Sequence, residues 1–465
     1  MNALRKHTGV LILLFLGVLM GALDISIVGP AIPSIEQTIH METKDLSWVF
    51  NIYILFNLAG ISLFARLSDR FGRRAMYVSA VTLFALGSGV VSLAENYTLL
   101  ITGRAIQGFG SSGIFPVALA TIGDLFPVEK RGRALGLIGA VFGIAFLAGP
   151  FIAGTMLHYF NWNALFLVNL PVSLLIIGFS LKLMPAKQQG REVHIDYAGI
   201  ILMGAILALF TIAMTNLDTA NLADSILSVK VLPLLVFAAI LTFILFMVEE
   251  YDKQPVFEVK FFRSREIRFA GIIAIGLGIF QSVILFLPTL AVKQYAVTPS
   301  EASFMLIALV AMTAIGSPVN GRLVDMIGSR IIIVAGLVIA AAGLFLFSRM
   351  PSDRTGFYLA CGMLGFGLSM RGALNYIMLN ETGALQRASA QGMLIIFVSV
   401  GQIAGASLIS ILAASADGLL AGFRYAFLFL SGIAAVLVLL ALFLKSRKRE
   451  LETQSMEETT TTQKS

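Results

Sequence analysis

The sequence predicts an all-α polytopic membrane protein of fourteen transmembrane helices. Three observations lead there. Of 465 residues, 58% are hydrophobic and 13% charged, where soluble domains carry about 45–50% apolar and about 25% charged residues. Apolar runs of about 20 residues, the length a helix needs to cross a hydrocarbon core of about 30 Å, recur almost end to end. These runs are continuous rather than alternating, which favours helices over barrel strands.

Taken in order, the first span covers residues 10–30. It follows Arg5, Lys6 and His7 and could pass for a signal peptide, but it is long, contains Asp24 and lacks a small-residue cleavage site, so it reads as a retained helix. Spans at 46–65 and 75–94 flank the basic segment 65–74, and spans at 98–121 and 133–155 flank a second cluster at Lys130, Arg131 and Arg133. The sixth span, 162–183, ends before a basic segment that closes at Arg191. Spans seven and eight, 197–217 and 229–249, lie between that segment and a mixed-charge loop from Glu249 to Arg268. The remaining six fall at 268–290, 301–320, 331–348, 355–379, 389–412 and 422–444. After Lys445–Arg449 the tail is acidic and Thr-rich, without apolar periodicity, and is expected to be disordered over 447–465.

The loops divide sharply by charge. Of 33 Lys and Arg, 25 fall in the alternate loops that include both ends of the chain, six fall on the opposite side, and Arg104 and Arg371 lie inside spans. By the positive-inside rule both termini are cytoplasmic, with the chain a multi-pass protein of the cell membrane. The net charge of +7 is explained by this sidedness and is no nucleic-acid footprint. A single cysteine, Cys361, in an apolar run excludes an intramolecular disulfide framework, and scattered His7, His40, His158 and His194 make a metal cluster implausible. No Gly-x4-Gly-Lys-Ser/Thr phosphate loop occurs, so ATP-driven work by this chain alone is disfavoured. An integral-membrane enzyme would need converging catalytic groups that the sequence lacks.

An internal repeat fixes the organisation. Residues 65–74, ARLSDRFGRR, and 321–330, GRLVDMIGSR, share Arg, Leu, Asp, Gly and Arg at matching positions. The two segments are eight spans apart, whereas tandem six-helix halves would place them six apart, so two helices are inserted between halves. The resulting division is a six-helix half over 1–190, two inserted helices over 191–265, a second six-helix half over 266–446, and the tail. Repeats on this scale belong to secondary transporters, whose site lies near the bilayer midplane between the halves.

The segment 65–74 resembles the loop signature of the major facilitator superfamily, with Ala65 and Ser68 as mild departures. Residues 100–110, LITGRAIQGFG, resemble its helix 4 signature; Gly149, Pro150 and Gly154 resemble its antiporter signature in helix 5; and 23–33, LDISIVGPAIP, is similar to the first helix of the fourteen-span drug:proton antiporters. The resemblance implies the major facilitator fold, a monomer, and export of small amphipathic or cationic, drug-like compounds in exchange for protons by alternating access. It implies no cofactor beyond the proton gradient, and its partners are protons, a small-molecule substrate and the lipid bilayer. A proton-coupled symporter or facilitator for one metabolite is the alternative.

Charged residues inside a bilayer need partners or water. Asp24 lies roughly 21 Å from the cytoplasmic start of its span and Arg104 roughly 9 Å from the outer start of its own, so in a core of about 30 Å their depths coincide. With Gln107 they are the candidate coupling and substrate site, Asp24 carrying a proton or cation and Arg104 tuning it; a permanent pair locking two helices is the bland reading. Asp69, Arg70, Gly72, Arg73 and Arg74, with Asp325, Gly328 and Arg330 as the weaker counterpart, form candidate cytoplasmic gating loops. Asp69 is placed to face a helix N-terminus or a neighbouring Arg, and Gly72 allows a tight turn. Gly149, Pro150 and Gly154 serve close packing, hinging or both. Asn51, Asn57, Gln281, Arg371 and Asn375 are possible cavity residues, each also readable as helix glue or, for Arg371, as a snorkelling cation.

Overall fold

The computed structural model describes residues 2–42, 45–125, 128–185, 196–217, 222–251, 259–382, 387–415 and 418–450. The described residues form no strand. The first half comprises α1 (Asn2–Ile39), α2 (Trp48–Phe71), α3 (Arg73–Ser92), α4 (Tyr97–Leu125), α5 (Val128–Tyr159), the short α6 (Asn163–Leu167) and α7 (Asn169–Leu183). The intervening hairpin is α8 (Tyr197–Thr215), a one-turn α9 (Leu222–Ile226) and α10 (Leu232–Tyr251). The second half runs through α11 (Arg265–Tyr295), α12 (Pro299–Met305), α13 (Ile307–Ile327), α14 (Ser329–Ser348), α15 (Arg354–Leu368), α16 (Arg371–Asn380), α17 (Arg387–Ser415) and α18 (Leu419–Ala441).

Twelve helical segments are long and apolar enough to span a bilayer, and α2, bent by 40° after Ile61, makes thirteen when counted as one. The described residues thus hold twelve or thirteen spans where fourteen are expected; within the 32-residue α5 the apolar stretch is the shorter Ile144–Tyr159. Further differences lie inside the spans. The sixth, tenth and twelfth spans, expected as single helices, are interrupted at Val168, at Leu306 and at Ser369–Met370. At Leu306 and at Ser369–Met370 the backbone tightens locally, Leu306 donating to the Ser303 carbonyl and Ser369 and Met370 to those of Phe366 and Gly367; at Leu306 apolar residues continue through, so hydropathy does not register the break.

Starts and stops follow local chemistry. Asp196 caps α8 by accepting from the Gly199 amide at 2.7 Å, and Thr298 with Glu301 forms a reciprocal capping box on α12, with Pro299 in its first turn. Asn96 accepts from the Leu99 amide at 2.9 Å and so caps the start of α4. Gly72 closes α2 and opens α3 at φ 94°, ψ 148°, and Gly328 does the same between α13 and α14 at φ 91°, ψ 162°. The repeat seen in sequence is therefore a repeat of backbone: each copy needs a residue free of Cβ strain at positive φ.

Within the first half α3 packs on α4, α4 on α2 and α1 on α5; in the second, α11 packs on α17, and α14 on α15 and α18. The inserted α8 lies against α2 of the first half and α17 of the second, with α10 outside it. Between the halves, contacts gather at the end of the bundle remote from the described chain ends. Asn51 donates to Ser407 Oγ at 2.9 Å, Ser300 donates to the Gly154 carbonyl at 2.6 Å, and Lys293 lies 3.9 Å from Glu36. Phe151 meets Phe304 edge-on, and a Cβ on Gly29 would come within 3.2 Å of the Ile284 carbonyl oxygen.

The division at 190/191 falls among residues 186–195, outside those described, as does the tail beyond residue 450. The tail's first residues, expected to be disordered, are helical and packed: Glu450 is 3% exposed, Asn380 donates to its carbonyl oxygen, and its carboxylate accepts from the Ser329 amide and hydroxyl.

Candidate functional site

The site is built around one helix-4 arginine. Arg104 donates from Nη1 to Asp24 Oδ2 at 2.7 Å and to Gln107 Oε1 at 2.7 Å, and from Nε to the Val49 carbonyl at 3.0 Å. Gln107 turns its amide to Asp24 Oδ1 at 2.6 Å and to Ser88 Oγ at 2.8 Å, and Asn169 donates to the same Asp24 oxygen at 3.2 Å. Arg104 stacks over the Tyr53 ring at 4.3 Å, and the Tyr53 hydroxyl donates to Ser111 Oγ at 2.7 Å. Asp24, Arg104 and Gln107 are each 0% exposed. One network thus joins α1, α2, α3, α4 and α7.

Small residues let it form. A Cβ on Gly108 would sit 2.3 Å from the Tyr53 carbonyl oxygen, and one on Gly87 would sit 2.4 Å from the Gln107 amide nitrogen. Gly108 on α4 and Gly87 on α3 therefore let α2 and α3 approach α4 closely enough for Tyr53, Ser88 and Gln107 to join the network. A charge pair removed from water is tolerated only when its remaining donors and acceptors are filled; both Asp24 oxygens are bonded, whereas Arg104 Nη2 has no hydrogen-bond partner.

Asp24 and Arg104, expected from sequence to lie at matching depths, are in direct contact. Sequence reasoning missed Asn169, Ser88 and Tyr53, which carried no signal beyond being polar groups in spans. Asn51 and Asn57 stand apart from this network, Asn51 on Ser407 and Asn57 donating to the Gly108 carbonyl at 3.5 Å. In the second half, Gln402 donates to Gln281 Oε1 at 3.0 Å, and Gln391 donates to the Asn375 carbonyl at 3.3 Å. Arg371 opens α16 and, among the described residues, has no ion pair or hydrogen bond.

At the end nearer the chain termini, Arg73 meets Asp69 at 2.5 Å and Asp124 at 2.8 Å and donates to Ser68 Oγ at 2.6 Å. Arg74 donates to the Leu181 carbonyl at 3.2 Å, tying α3 to α7. Asp69 lies within the last turn of α2 rather than in a loop, and it faces Arg73, not a helix N-terminus. Arg70 is exposed beside the Phe71 ring and stands outside the cluster. The second copy differs. Asp325 contributes its backbone carbonyl, which accepts from Arg447 at 2.7 Å. Arg447 also donates to the Tyr376 hydroxyl at 2.7 Å, and Lys445 pairs with Glu381. Arg330 lines a cleft of about 360 Å³ with Arg265, Glu266, Lys445 and Arg449. The tail takes the place that acidic side chains hold in the first copy.

Helix 5 serves two contacts. A Cβ on Gly149 would fall 2.0 Å from Ser26 Oγ, a packing contact inside the first half; one on Gly154 would touch the Phe304 ring at 3.0 Å, across the halves. Pro150, inside α5, removes one helical hydrogen bond between them.

The family model described as Major Facilitator Superfamily matches residues 14–289 and 269–464. Multidrug resistance protein 3 of Bacillus subtilis (strain 168) is 29% identical over 365 residues, covering 78% of this chain and 70% of that protein. Riboflavin transporter RibZ of Clostridioides difficile (strain 630) is 26% identical over 366 residues, covering 78% and 77%. Among solved structures, nucleoside transporter NupG superposes over 95% of this chain and 98% of its own, with a TM-score of 0.66 and 14% identity, a likeness of fold.

Proposed function

Because the chain belongs to the Major Facilitator Superfamily, a family of membrane transporters, we propose that it exports small amphipathic or cationic, drug-like compounds across the cell membrane in exchange for protons. The observation that carries this reading is the closed network around Asp24. A carboxylate at that depth is stable as an anion only while Arg104, Gln107 and Asn169 hold it. Its protonation removes the charge that Arg104 answers, and α1 is then free to shift against α4 and α7. A change of one proton is thereby converted into a change of helix packing, and the two packings are the alternatives that alternating access requires.

The inter-half contacts at Asn51, Gly154 and Lys293 correspond, under the charge-based topology, to a carrier closed on the outside and facing the cytoplasm. The Asp69–Arg73–Asp124 cluster then latches the cytoplasmic ends of α2, α3 and α4. Likeness to a multidrug resistance protein supports drug-like cargo. A proton-coupled carrier for a single metabolite is the second reading, and likeness to a riboflavin transporter favours it.

The test is movement of a fluorescent dye into inverted vesicles energised by a proton gradient, the native chain against Asp24→Asn at matched abundance. Export predicts gradient-dependent accumulation that the variant loses. Dye movement indifferent to collapse of the gradient would sink proton coupling.

A further inference from the structure

We propose that Arg371 is the recognition point for an anionic group on the transported compound, so that the carrier takes amphipathic acids or zwitterions in preference to simple cations. The inference rests on the export reading and narrows its substrate class.

Three charged side chains stand well inside their spans: Asp24, Arg104 and Arg371. The first two neutralise one another at 2.7 Å with no exposure of either. A cationic compound approaching Asp24 would have to displace Arg104 and would find both carboxylate oxygens already bonded. Arg371 is in the opposite condition. Among the described residues it has no ion pair, hydrogen bond or ring contact, and part of its surface is open. Among the described residues, the charge left unanswered at that depth is therefore positive.

The surroundings of Arg371 point to the space between the halves. On α16, Ala373, Leu374, Ile377 and Met378 are buried, and the helix packs against α11, α13, α14 and α17. The residues of α16 left wholly or partly open are Arg371, Gly372, Asn375, Tyr376 and Leu379. Two of the helices packed on α16, α11 and α13, themselves reach across to α1 and α5 of the first half. Nothing lies within 4 Å of where a Cβ would stand on Gly372, or on Gly392 of neighbouring α17, so there is room beside the guanidinium.

Neither bland role explains the residue. A cation in the first turn of a helix opposes the helix dipole, so Arg371 does not stabilise α16. The end of that helix at Asn380 is roughly 14 Å further along, so the guanidinium stands well short of the helix end to which a snorkelling cation would extend. An arginine presents a planar fork of donors that suits a carboxylate or sulfonate, and at membrane depth, where the dielectric is lowered, such a pair is strengthened.

The experiment uses the purified full chain in liposomes and two xanthene dyes on one ring system, anionic fluorescein and cationic rhodamine 123. The expected result is gradient-driven fluorescein transport by the native chain, a rise of at least roughly tenfold in its KM in Arg371→Gln, part recovery in Arg371→Lys, and no rise for rhodamine 123. Transport of rhodamine 123 alone, or an unchanged fluorescein KM in Arg371→Gln, overturns the inference while leaving export intact. If the native chain moves neither dye, the export reading itself falls and this inference with it. Should Arg371→Gln fail to accumulate, the native protein decides: fluorescein must inhibit rhodamine 123 transport competitively, and absence of competition overturns the proposal.

Discussion

Arg104 and Asp24 meet at 2.7 Å with both side chains fully buried, and the Arg104 Nε also holds the Val49 carbonyl, so one guanidinium pins α1 and α2 to α4. Removing one partner of such a pair and removing both are physically different acts. Asp24→Asn leaves a buried cation without its counter-charge, a loss of about 3–5 kcal/mol for typical buried pairs. The purified variant should unfold at a markedly lower temperature. Asp24→Asn with Arg104→Gln removes both charges and should recover most of that stability. If the pair couples protons to transport, the double variant stays folded yet moves dye only down its gradient. A double variant that still pumps against the gradient would reduce the pair to a structural lock.

Asp69→Asn makes a milder perturbation. Arg73 keeps Asp124 at 2.8 Å, and both Asp69 and Arg73 are partly exposed, so stability should change by no more than about 1 kcal/mol. Initial transport rates should nevertheless fall several-fold at unchanged membrane abundance, because the contact between the ends of α2 and α3 is weakened. Normal rates in the variant would remove the gating role.

The tail offers a test of a contact that sequence did not announce. Glu450 accepts from the Ser329 amide at the start of α14 and lies 3.7 Å from Arg447. Glu450→Ala removes a cap from α14, and caps of this kind contribute about 0.5–2 kcal/mol. A fall of that size in the unfolding free energy is the expected reading; thermal unfolding indistinguishable from native would show the contact to be idle.

What was legible follows from which quantities are local. Helical rise is nearly constant, so the depths of Asp24 and Arg104 could be set side by side before any packing was known. Gly72 and Gly328 were legible as a pair because the same positive-φ junction recurs in the same motif. Asn169 and Ser88 were not, since an amide or hydroxyl in a span reads the same whether it bonds a neighbouring helix or a site; rotation of α3 and α7 about their axes decides, and that is tertiary. The break at Leu306 was hidden for a different reason, as the apolar Met305 and Ile307 on either side leave hydropathy unchanged. Among the described residues the helical part of the tail is Arg447–Glu450, too short a stretch to show any period.

The two helix 5 glycines separate packing from gating. Gly149 faces Ser26 within one half, so Gly149→Ala should destabilise the fold by about 1–3 kcal/mol through overpacking. Gly154 faces Phe304 across the halves, beside the Ser300 hydrogen bond to its own carbonyl. Gly154→Val pushes α5 from α12 at the contact that holds the halves together, so its effect should fall on the balance between conformations rather than on folding. The measurement is labelling of Leu285→Cys, placed beside Gly29 at the same closed end, by an impermeant maleimide added outside intact cells in a Cys361→Ala background. Labelling should quicken several-fold in Gly154→Val and remain near native in Gly149→Ala. Equal labelling in both would mean that Gly154, like Gly149, only fills space.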